Sequence, residues 1–160
     1  MTQDLFDLSN KTIILTGSAG RLGSNFAEIL ADAGANLVLL DINKKENKKL
    51  EKNITKKFKI KCISSNANIT IKKELVELSK IIIKKFGKID GLVNNAFYNP
   101  RTNIKQSAMR FEDYSLDLWN DVVSVNLTGV FLCSQIFGKI MAKQKTGGSI
   151  VNISSIYGIN

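Results

Sequence analysis

The sequence predicts an α/β fold, a doubly wound parallel sheet with helices on both faces. Short runs rich in Ile, Val and Leu alternate five times with longer amphipathic stretches along the 160 residues. Continuous apolar runs are typical of parallel strands buried on both faces, and repeated strand–helix alternation predicts a single parallel sheet. A chain of this length can bury one core. Because the sequence contains neither a repeat nor a linker, we interpret residues 1–160 as one domain.

Five apolar runs are the predicted strands. They are TIILT (12–16), NLVLL (36–40), KIKCIS (59–64), IDGLVN (89–94) and SIVNIS (149–154). Each run is short and rich in aliphatic residues, as expected for buried strands. The last run is apolar and lacks proline, so we expect it to promote aggregation if it forms an uncovered edge of the sheet.

The stretches between the strands have helical periodicity. The apolar face predicted for the first helix is formed by Leu22, Phe26, Ile29, Leu30 and Ala33. The face predicted for the helix before the fourth strand is formed by Ile71, Leu75, Leu78, Ile82 and Phe86. Apolar residues at this spacing are typical of helices that cover a core. A long helical stretch is expected over residues 116–143, whereas residues 97–114 are the least regular part of the chain.

Composition limits the expected partners and location. The formal net charge is +9, but the lysines crowd residues 44–61 without an interleaved aromatic stacking platform, which favours a solvated helix face over a nucleic-acid surface. No apolar run approaches the length of a membrane span, and the acidic N-terminus is unlike a signal peptide. Cys62 and Cys133 lack metal-binding or redox spacing. We therefore expect a cytoplasmic protein with buried free thiols, no metal site and no membrane or nucleic-acid partner.

A glycine-rich turn, TGSAGRLG (16–23), joins the first strand to the first helix. Glycines at positions 17, 20 and 23 allow a sharp turn and the close approach of a pyrophosphate. The helix that follows offers free N–H groups and the positive end of its dipole. A strand before the motif and a helix after it indicate a dinucleotide-binding Rossmann fold. The alternative is a tight turn with a purely structural role.

An acidic residue, Asp41, ends the second strand. A carboxylate at this position can accept hydrogen bonds from both hydroxyl groups of the adenosine ribose, and it would repel a 2′-phosphate. This favours NAD over NADP, although Lys44 and Lys45 lie nearby and weaken the discrimination. The alternative is that Asp41 caps the following helix.

Four segments together resemble the short-chain dehydrogenase/reductase family. They are TGSAGRLG (16–23), NNA (94–96), VNLTGVFLCSQ (125–135) and IVNISSIYG (150–158). The resemblance covers nearly the whole chain. It implies an NAD(P)-binding Rossmann domain that interconverts an alcohol and a carbonyl on a small-molecule substrate, within a homo-oligomer. It also implies that the 160 residues are the N-terminal portion of such an enzyme, with about five of the family's usual seven strands.

The resemblance assigns roles to individual residues. Those expected at the cofactor are Gly17, Ser18, Arg21, Leu22, Gly23, Asp41, Ile42, Asn68, Ile69, Asn94 and Ala96. Ser155 matches the catalytic serine that hydrogen-bonds the reacting oxygen, with Ser154 as the alternative. Asn126 matches the catalytic asparagine that holds a lysine through water, with a plain polar helix residue as the alternative. Two departures are that Asn68 replaces the usual aspartate beside the adenine, and Phe97 replaces the usual glycine after NNA.

One part of the family pattern is missing. Catalysis in this family depends on a Tyr-x-x-x-Lys pair, in which the lysine and the nicotinamide ribose lower the tyrosine pKa from about 10 so that the tyrosine can transfer a proton. The tyrosine lies about a dozen residues after the serine, a position that this sequence does not reach. Tyr157 follows Ser155 too closely to be that tyrosine. We therefore expect the 160-residue chain to be inactive alone.

Two other interpretations stay open on the sequence. The first is a nucleotide-sugar epimerase or dehydratase of the family's extended branch. The spacing T-G-x-x-G-x-x-G is typical of that branch, whereas NNA and VNLTGVF favour the short branch. TGSAGRLGS and NNAFYNPR also look like oxidoreductases encoded with flagellin and surface-sugar modification enzymes. The second interpretation is a non-catalytic dinucleotide-binding module, which the missing Tyr-x-x-x-Lys pair supports.

Overall fold

The computed structural model describes residues 6–100 and 110–155, and its elements follow the predicted alternation. The strands are β1 (Thr12–Thr16), β2 (Asn36–Leu40), β3 (Cys62–Ser65), β4 (Gly91–Asn94) and β5 (Ser149–Asn152). The helices are α1 (Arg21–Asp32), α2 (Lys44–Lys57), α3 (Lys72–Phe86), α4 (Leu116–Val123) and α5 (Val130–Lys143). A π-helical segment, Ser124–Gly129, joins α4 to α5, so the predicted long helix is confirmed. The irregular stretch predicted over residues 97–114 lies partly outside the described residues.

All five strands are parallel and form one sheet in the order β3-β2-β1-β4-β5. The order reverses at β1, which pairs with β2 on one side and with β4 on the other. In sheets of this kind, ligands bind outside the carboxyl ends of the strands at the point of reversal. The fold is therefore the predicted doubly wound α/β fold, and its topology places a candidate site beyond Thr16.

The core lies in two layers, one on each face of the sheet. On one face, α3 and α5 contribute buried side chains that include Leu75, Leu78, Ile82, Cys133 and Phe137. On the other face, α1 and α2 contribute Ala27, Ala31 and Ile54. The lysines of α2 are exposed to solvent.

The face predicted for α1 is partly wrong. Leu22 and Ile29 are 57% and 65% exposed, and the helix instead buries a stripe of small residues, Gly23, Ala27 and Ala31. Small side chains allow the helix axis to approach the sheet closely, and larger residues beside the stripe then cover only its margins. The face predicted for α3 is confirmed at Leu75, Leu78 and Ile82, but Ile71 precedes the helix and is 43% exposed.

The continuous helix Leu116–Lys143 contradicts the expectation that no apolar stretch of the chain approaches the length of a membrane span. It has 28 residues and a mean hydropathy of 1.3 in its most apolar part, which is enough to cross a membrane by length and composition alone. Its side chains at Cys133, Phe137 and Met141 are buried in the core layer over the sheet. A helix that covers a sheet in this way passes the same length and composition test as a membrane span.

The last strand, β5, lies at one edge of the sheet and pairs with β4. Its apolar side chains at Ile150 and Val151, together with the following Ile153, are between 39% and 49% exposed. An apolar edge without charge or proline can pair with the edge of another chain. Within the described residues, β5 is therefore at the kind of edge for which the sequence analysis expects aggregation.

Both cysteines are free and buried, as the sequence predicts. Burial raises the pKa of the Cys133 thiol to about 12. Burial, assisted by the nearby carboxylate of Glu51, raises the pKa of the Cys62 thiol to about 12. The thiolate is the reactive form of cysteine, so both residues should be inert in the folded state.

We therefore expect the native chain to react slowly with a disulfide reagent between pH 7 and pH 9, because both pKa values lie above this range. In denaturant, both thiols should react at the rate of a free cysteine. The measurement is the absorbance of the released thiol with and without denaturant. Rapid labelling of either cysteine in the native chain would contradict the predicted burial.

Candidate functional site

The predicted site residues converge at the carboxyl-terminal edge of the sheet. A cleft of about 190 Å³ opens beside the ends of β1, β2 and β4. Six of the residues predicted to bind the cofactor line this cleft: Gly17, Asp41, Ile42, Asn68, Ile69 and Ala96. They come from four separate segments of the chain, and the parallel sheet brings these segments together.

The glycine-rich turn packs tightly against its surroundings. Gly17 has φ +64°, and a Cβ atom added to it would lie 2.7 Å from the Cα of Ala96. A Cβ added at Gly23 would lie only 2.0 Å from the carbonyl oxygen of Gly17. Gly20 differs from both, because it is exposed, has φ −72°, and leaves 3.3 Å between an added Cβ and the same oxygen. Gly17 and Gly23 are therefore required by the fold itself, whereas Gly20 lies on the open side of the turn.

The N-terminus of α1 is suited to bind an anion. No side chain caps this helix, and its first turn contains no acidic residue. The three other described helices that begin after a loop, α2, α3 and α4, each have an acidic residue in the first turn. Arg21 and Leu22 are exposed at the start of α1. Free N–H groups, the positive dipole end and a nearby arginine together favour a bound phosphate.

Asp41 lies between the end of β2 and the glycine-rich turn. Its Oδ2 atom accepts a hydrogen bond from the backbone N–H of Ala19 at 2.9 Å, and its Oδ1 atom accepts one from Asn43 at 2.8 Å. The cap of α2 is Asn43, whose Oδ1 atom accepts from the N–H of Glu46. The alternative that Asp41 caps this helix is therefore wrong. Each carboxylate oxygen of Asp41 retains capacity for a further donor.

The end of β3 provides the far wall of the cleft. Asn68 Oδ1 accepts hydrogen bonds from the backbone N–H and the hydroxyl of Thr70, at 3.0 and 2.9 Å. Ile69 is largely buried and packs against Gly129, whereas Ile42 on the opposite side is 74% exposed. The cleft thus has apolar surfaces on both sides between the ends of β2 and β3, where the adenosine of the cofactor is predicted to bind.

Two residues that the sequence analysis missed hold the end of β4 against β1. Asn95 Nδ2 donates to the carbonyl oxygens of Thr16 and Gly17, at 3.0 and 3.1 Å. The hydroxyl oxygen of Thr16 accepts from the backbone N–H groups of Asn95 and Ala96, both at 3.0 Å. The signal was present in the motifs TG (16–17) and NNA (94–96), which both carry the resemblance.

Asn94 anchors the neighbouring strand. Its Nδ2 atom donates to Asn152 Oδ1 at 2.8 Å and to Ser134 Oγ at 3.1 Å, which ties β4 to β5 and α5. Its Oδ1 atom is buried and has no hydrogen-bond partner in the described part of the chain. A buried acceptor without a donor is uncommon in folded proteins. This position is therefore suited to receive a donor from a water molecule or a ligand.

The two predicted catalytic residues lie on the same edge of the sheet. Ser155 is exposed three residues after β5. Asn126 lies in the π-helical segment, where its Oδ1 accepts from the N–H of Tyr98 at 2.8 Å and its Nδ2 donates to the carbonyl oxygen of Tyr98 at 3.0 Å. The side chain of Asn126 thus fixes the segment after β4 to the long helix. The interpretation of Tyr157 lies outside the described residues.

Among the residues that line the cleft, Asp41 is the one acidic side chain. In residues 6–100 and 110–155, no three acidic, cysteine or histidine side chains lie together. Beside the cleft lie an uncapped helix N-terminus, a glycine-rich turn and, at the end of the neighbouring strand β2, the carboxylate of Asp41. The fold and this arrangement define an NAD(P)-binding Rossmann domain.

The chain belongs to the short chain dehydrogenase family, whose model matches residues 11–160. It is 35% identical over 153 residues to 5-keto-D-gluconate 5-reductase of Escherichia coli K12, covering 96% of this chain and 57% of that protein. It is 36% identical over 149 residues to a diacetyl reductase of Staphylococcus epidermidis, covering 93% of this chain and 55% of that protein. The chain thus spans little more than half the length of these relatives.

Solved structures show the same fold. NAD⁺-bound xylitol dehydrogenase superposes with a TM-score of 0.85 at 30% identity, over 96% of this chain and 56% of that one. A metagenomic short-chain oxidoreductase in complex with NADP superposes with a TM-score of 0.83 at 24% identity, over 96% of this chain and 66% of that one. Proteins of this fold therefore hold either NAD or NADP. The family match favours the short branch over the extended branch that the glycine spacing suggested.

Proposed function

We propose that this chain forms the cofactor-binding part of an NAD(P)-dependent oxidoreductase that interconverts an alcohol and a carbonyl. The observation that carries the proposal is the cleft at the ends of β1, β2 and β4. There an uncapped helix N-terminus, a glycine turn and the Asp41 carboxylate lie in the order in which a dinucleotide presents its pyrophosphate and ribose. When bound, a nicotinamide cofactor supplies the hydride acceptor or donor for this chemistry.

The residues of the chain divide the work of binding. The N-terminus of α1 neutralises the pyrophosphate, and Asp41 accepts hydrogen bonds from the ribose. Ala96 lines the cleft beyond β1, and Asn94 ties the end of β4 to Asn152 at the end of β5, the strand that leads to Ser155. The hydroxyl of Ser155 is suited to donate a hydrogen bond to a substrate oxygen, which would stabilise negative charge as it develops.

We further propose that the cofactor is NAD rather than NADP. The carboxylate of Asp41 is held by two backbone N–H groups, so it cannot swing away from a ribose without losing both hydrogen bonds. A 2′-phosphate would bring additional negative charge against this fixed carboxylate. Lys44 and Lys45 are exposed, and in solvent they offer less compensation than a buried partner would.

The test of this preference is the affinity for each cofactor with and without Asp41→Ala. The unmodified chain should bind NAD at least about tenfold more tightly than NADP, about 1.4 kcal/mol, and the variant should lose most of that ratio. Asp32→Ala is the matched control, because it removes the same charge from the exposed end of α1. Equal affinity of the unmodified chain for both cofactors, measured by titration calorimetry, would refute the preference.

The class of substrate is a further proposal, which the names of the relatives support and which requires turnover to test. The reductases of 5-keto-D-gluconate and diacetyl suggest small polar carbonyl compounds as the first panel to assay. Oxidation of NADH by a protein that carries the family's Tyr-x-x-x-Lys pair, in the presence of these compounds, would support the enzyme interpretation. Cofactor binding without turnover, by a protein that carries the family's Tyr-x-x-x-Lys pair, would favour the non-catalytic binding module instead.

A further inference from the structure

A buried polar residue, Asn47, lies on the inner face of the lysine-rich helix α2. The only buried residues of this helix are Asn47 and Ile54, and Asn47 is fully inaccessible to solvent. An amide without hydrogen bonds in such a position would be strongly destabilising. Its presence at a position where an apolar residue would pack more simply indicates that its hydrogen bonds have a specific role.

Three hydrogen bonds satisfy the Asn47 side chain. Its Nδ2 atom donates to the carbonyl oxygen of Leu39 at 3.0 Å and to that of Ser65 at 2.9 Å. Its Oδ1 atom accepts from the hydroxyl of Ser18 at 2.9 Å. Carbonyl oxygens only accept, so the amide orientation is fixed by chemistry, and the Ser18 hydroxyl must be the donor.

These partners lie on three different segments. Leu39 belongs to β2, Ser65 ends β3, and Ser18 lies within the glycine-rich turn after β1. One side chain therefore connects the turn after β1 to β2 and to β3. Ser18 is fully buried, and its hydroxyl is directed to Asn47, so this serine anchors the turn from behind instead of facing a ligand.

The rest of the turn is held largely by its own backbone and by residues of the cleft. The N–H groups of Gly17 and Ser18 donate to the carbonyl oxygen of Leu40, at 2.8 and 3.3 Å. Asp41 accepts from Ala19, and Asn95 donates to Gly17. Asp41 also lines the cleft, whereas Ser18 and Asn47 do not, so the pair can act on a ligand only through the conformation of the turn.

We infer that Asn47 is a positioning residue for the cofactor, acting through Ser18 on the phosphate-binding turn. The inference rests on the proposed function and adds a determinant of affinity outside the binding surface. With the turn held in place, the free N–H groups at the start of α1 are already oriented before a pyrophosphate arrives. A preorganised site loses less conformational entropy on binding and therefore binds more tightly.

The experiment compares Ser18→Ala, Asn47→Leu and the double variant in the 160-residue chain. Each single variant should weaken NAD binding by about fivefold to tenfold. The double variant should bind NAD as tightly as the weaker-binding single variant, because both changes break the same hydrogen bond. Amide hydrogen exchange of residues 17–22 without cofactor should accelerate in all three. Ser79→Ala is the matched control, since it also removes a buried hydroxyl, one that donates to Val76 on α3.

A structural role alone would give a different result. It would lower the melting temperature of Ser18→Ala and Ser79→Ala alike while NAD affinity and exchange at residues 17–22 stayed unchanged, and this outcome would overturn the inference. If Asn47→Leu does not fold, Ser18→Ala against its control still decides. An unmodified chain that binds neither NAD nor NADP would overturn the proposed function and the inference together, whereas normal NAD binding by Ser18→Ala would overturn the inference only.

Discussion

Gly23→Ala is expected to destabilise the fold by about 3 kcal/mol or more, at the upper end of the usual cost of overpacking. The added Cβ would lie 2.0 Å from the Gly17 carbonyl oxygen and 2.8 Å from the Cα of Ser18. Both are backbone atoms of a turn that is fixed at several points, so neither can move aside as a flexible side chain would. A loss of this size is a large fraction of the stability of a small domain. The measurement is urea denaturation followed by circular dichroism.

Gly138→Ala on α5 is the matched control for this prediction. The Cβ added there would lie 3.3 Å from Cδ1 of Ile150, the end of a flexible and partly exposed side chain. Alanine is also favoured over glycine within a helix by about 1 kcal/mol. We therefore expect Gly138→Ala to be neutral or stabilising, and equal stability of the two variants would contradict the packing argument at Gly23.

Gly20→Val is expected to leave the fold intact and to weaken cofactor binding by more than tenfold, above about 1.4 kcal/mol. Gly20 is exposed at the N-cap of α1, with a φ of −72° that any residue can adopt. A branched side chain there would occupy the space in front of the free N–H groups, where a pyrophosphate would lie. Titration calorimetry with NAD measures the loss, and circular dichroism monitors the fold.

Gly20 is a better test position than Gly17, which the sequence alone would suggest. Gly17 has a positive φ, and its added Cβ would contact the backbone of Ala96 at 2.7 Å, so Gly17→Val would disturb folding and binding together. A Gly20→Val chain with native circular dichroism and undiminished NAD affinity would show that the pyrophosphate does not approach α1.

The sequence by itself determined the elements of this protein and the motifs at their ends. Apolar runs and helical periods arise from residues near one another in the chain, so the strands, the long helix and the glycine-rich turn could be predicted without any contact being known. The location of Asp41 after β2 follows from the same local pattern. Parallel strands place their carboxyl ends on one edge, and this general rule was enough to bring Gly17, Asp41, Asn94 and Ser155 to the same side of the sheet.

Only the tertiary structure decided how these parts fit together. The order of the strands, the buried stripe of α1 and the partners of Asn126 depend on contacts between residues far apart in sequence. Asn47 is the clearest example, because in the sequence it is one polar residue within a lysine-rich helix. Its role becomes visible when packing excludes water from it and brings it within hydrogen-bonding distance of Ser18, Leu39 and Ser65. A local pattern indicates how polar a residue is, but the cost of burying that polarity, and the hydrogen bonds that offset it, are set by three-dimensional packing.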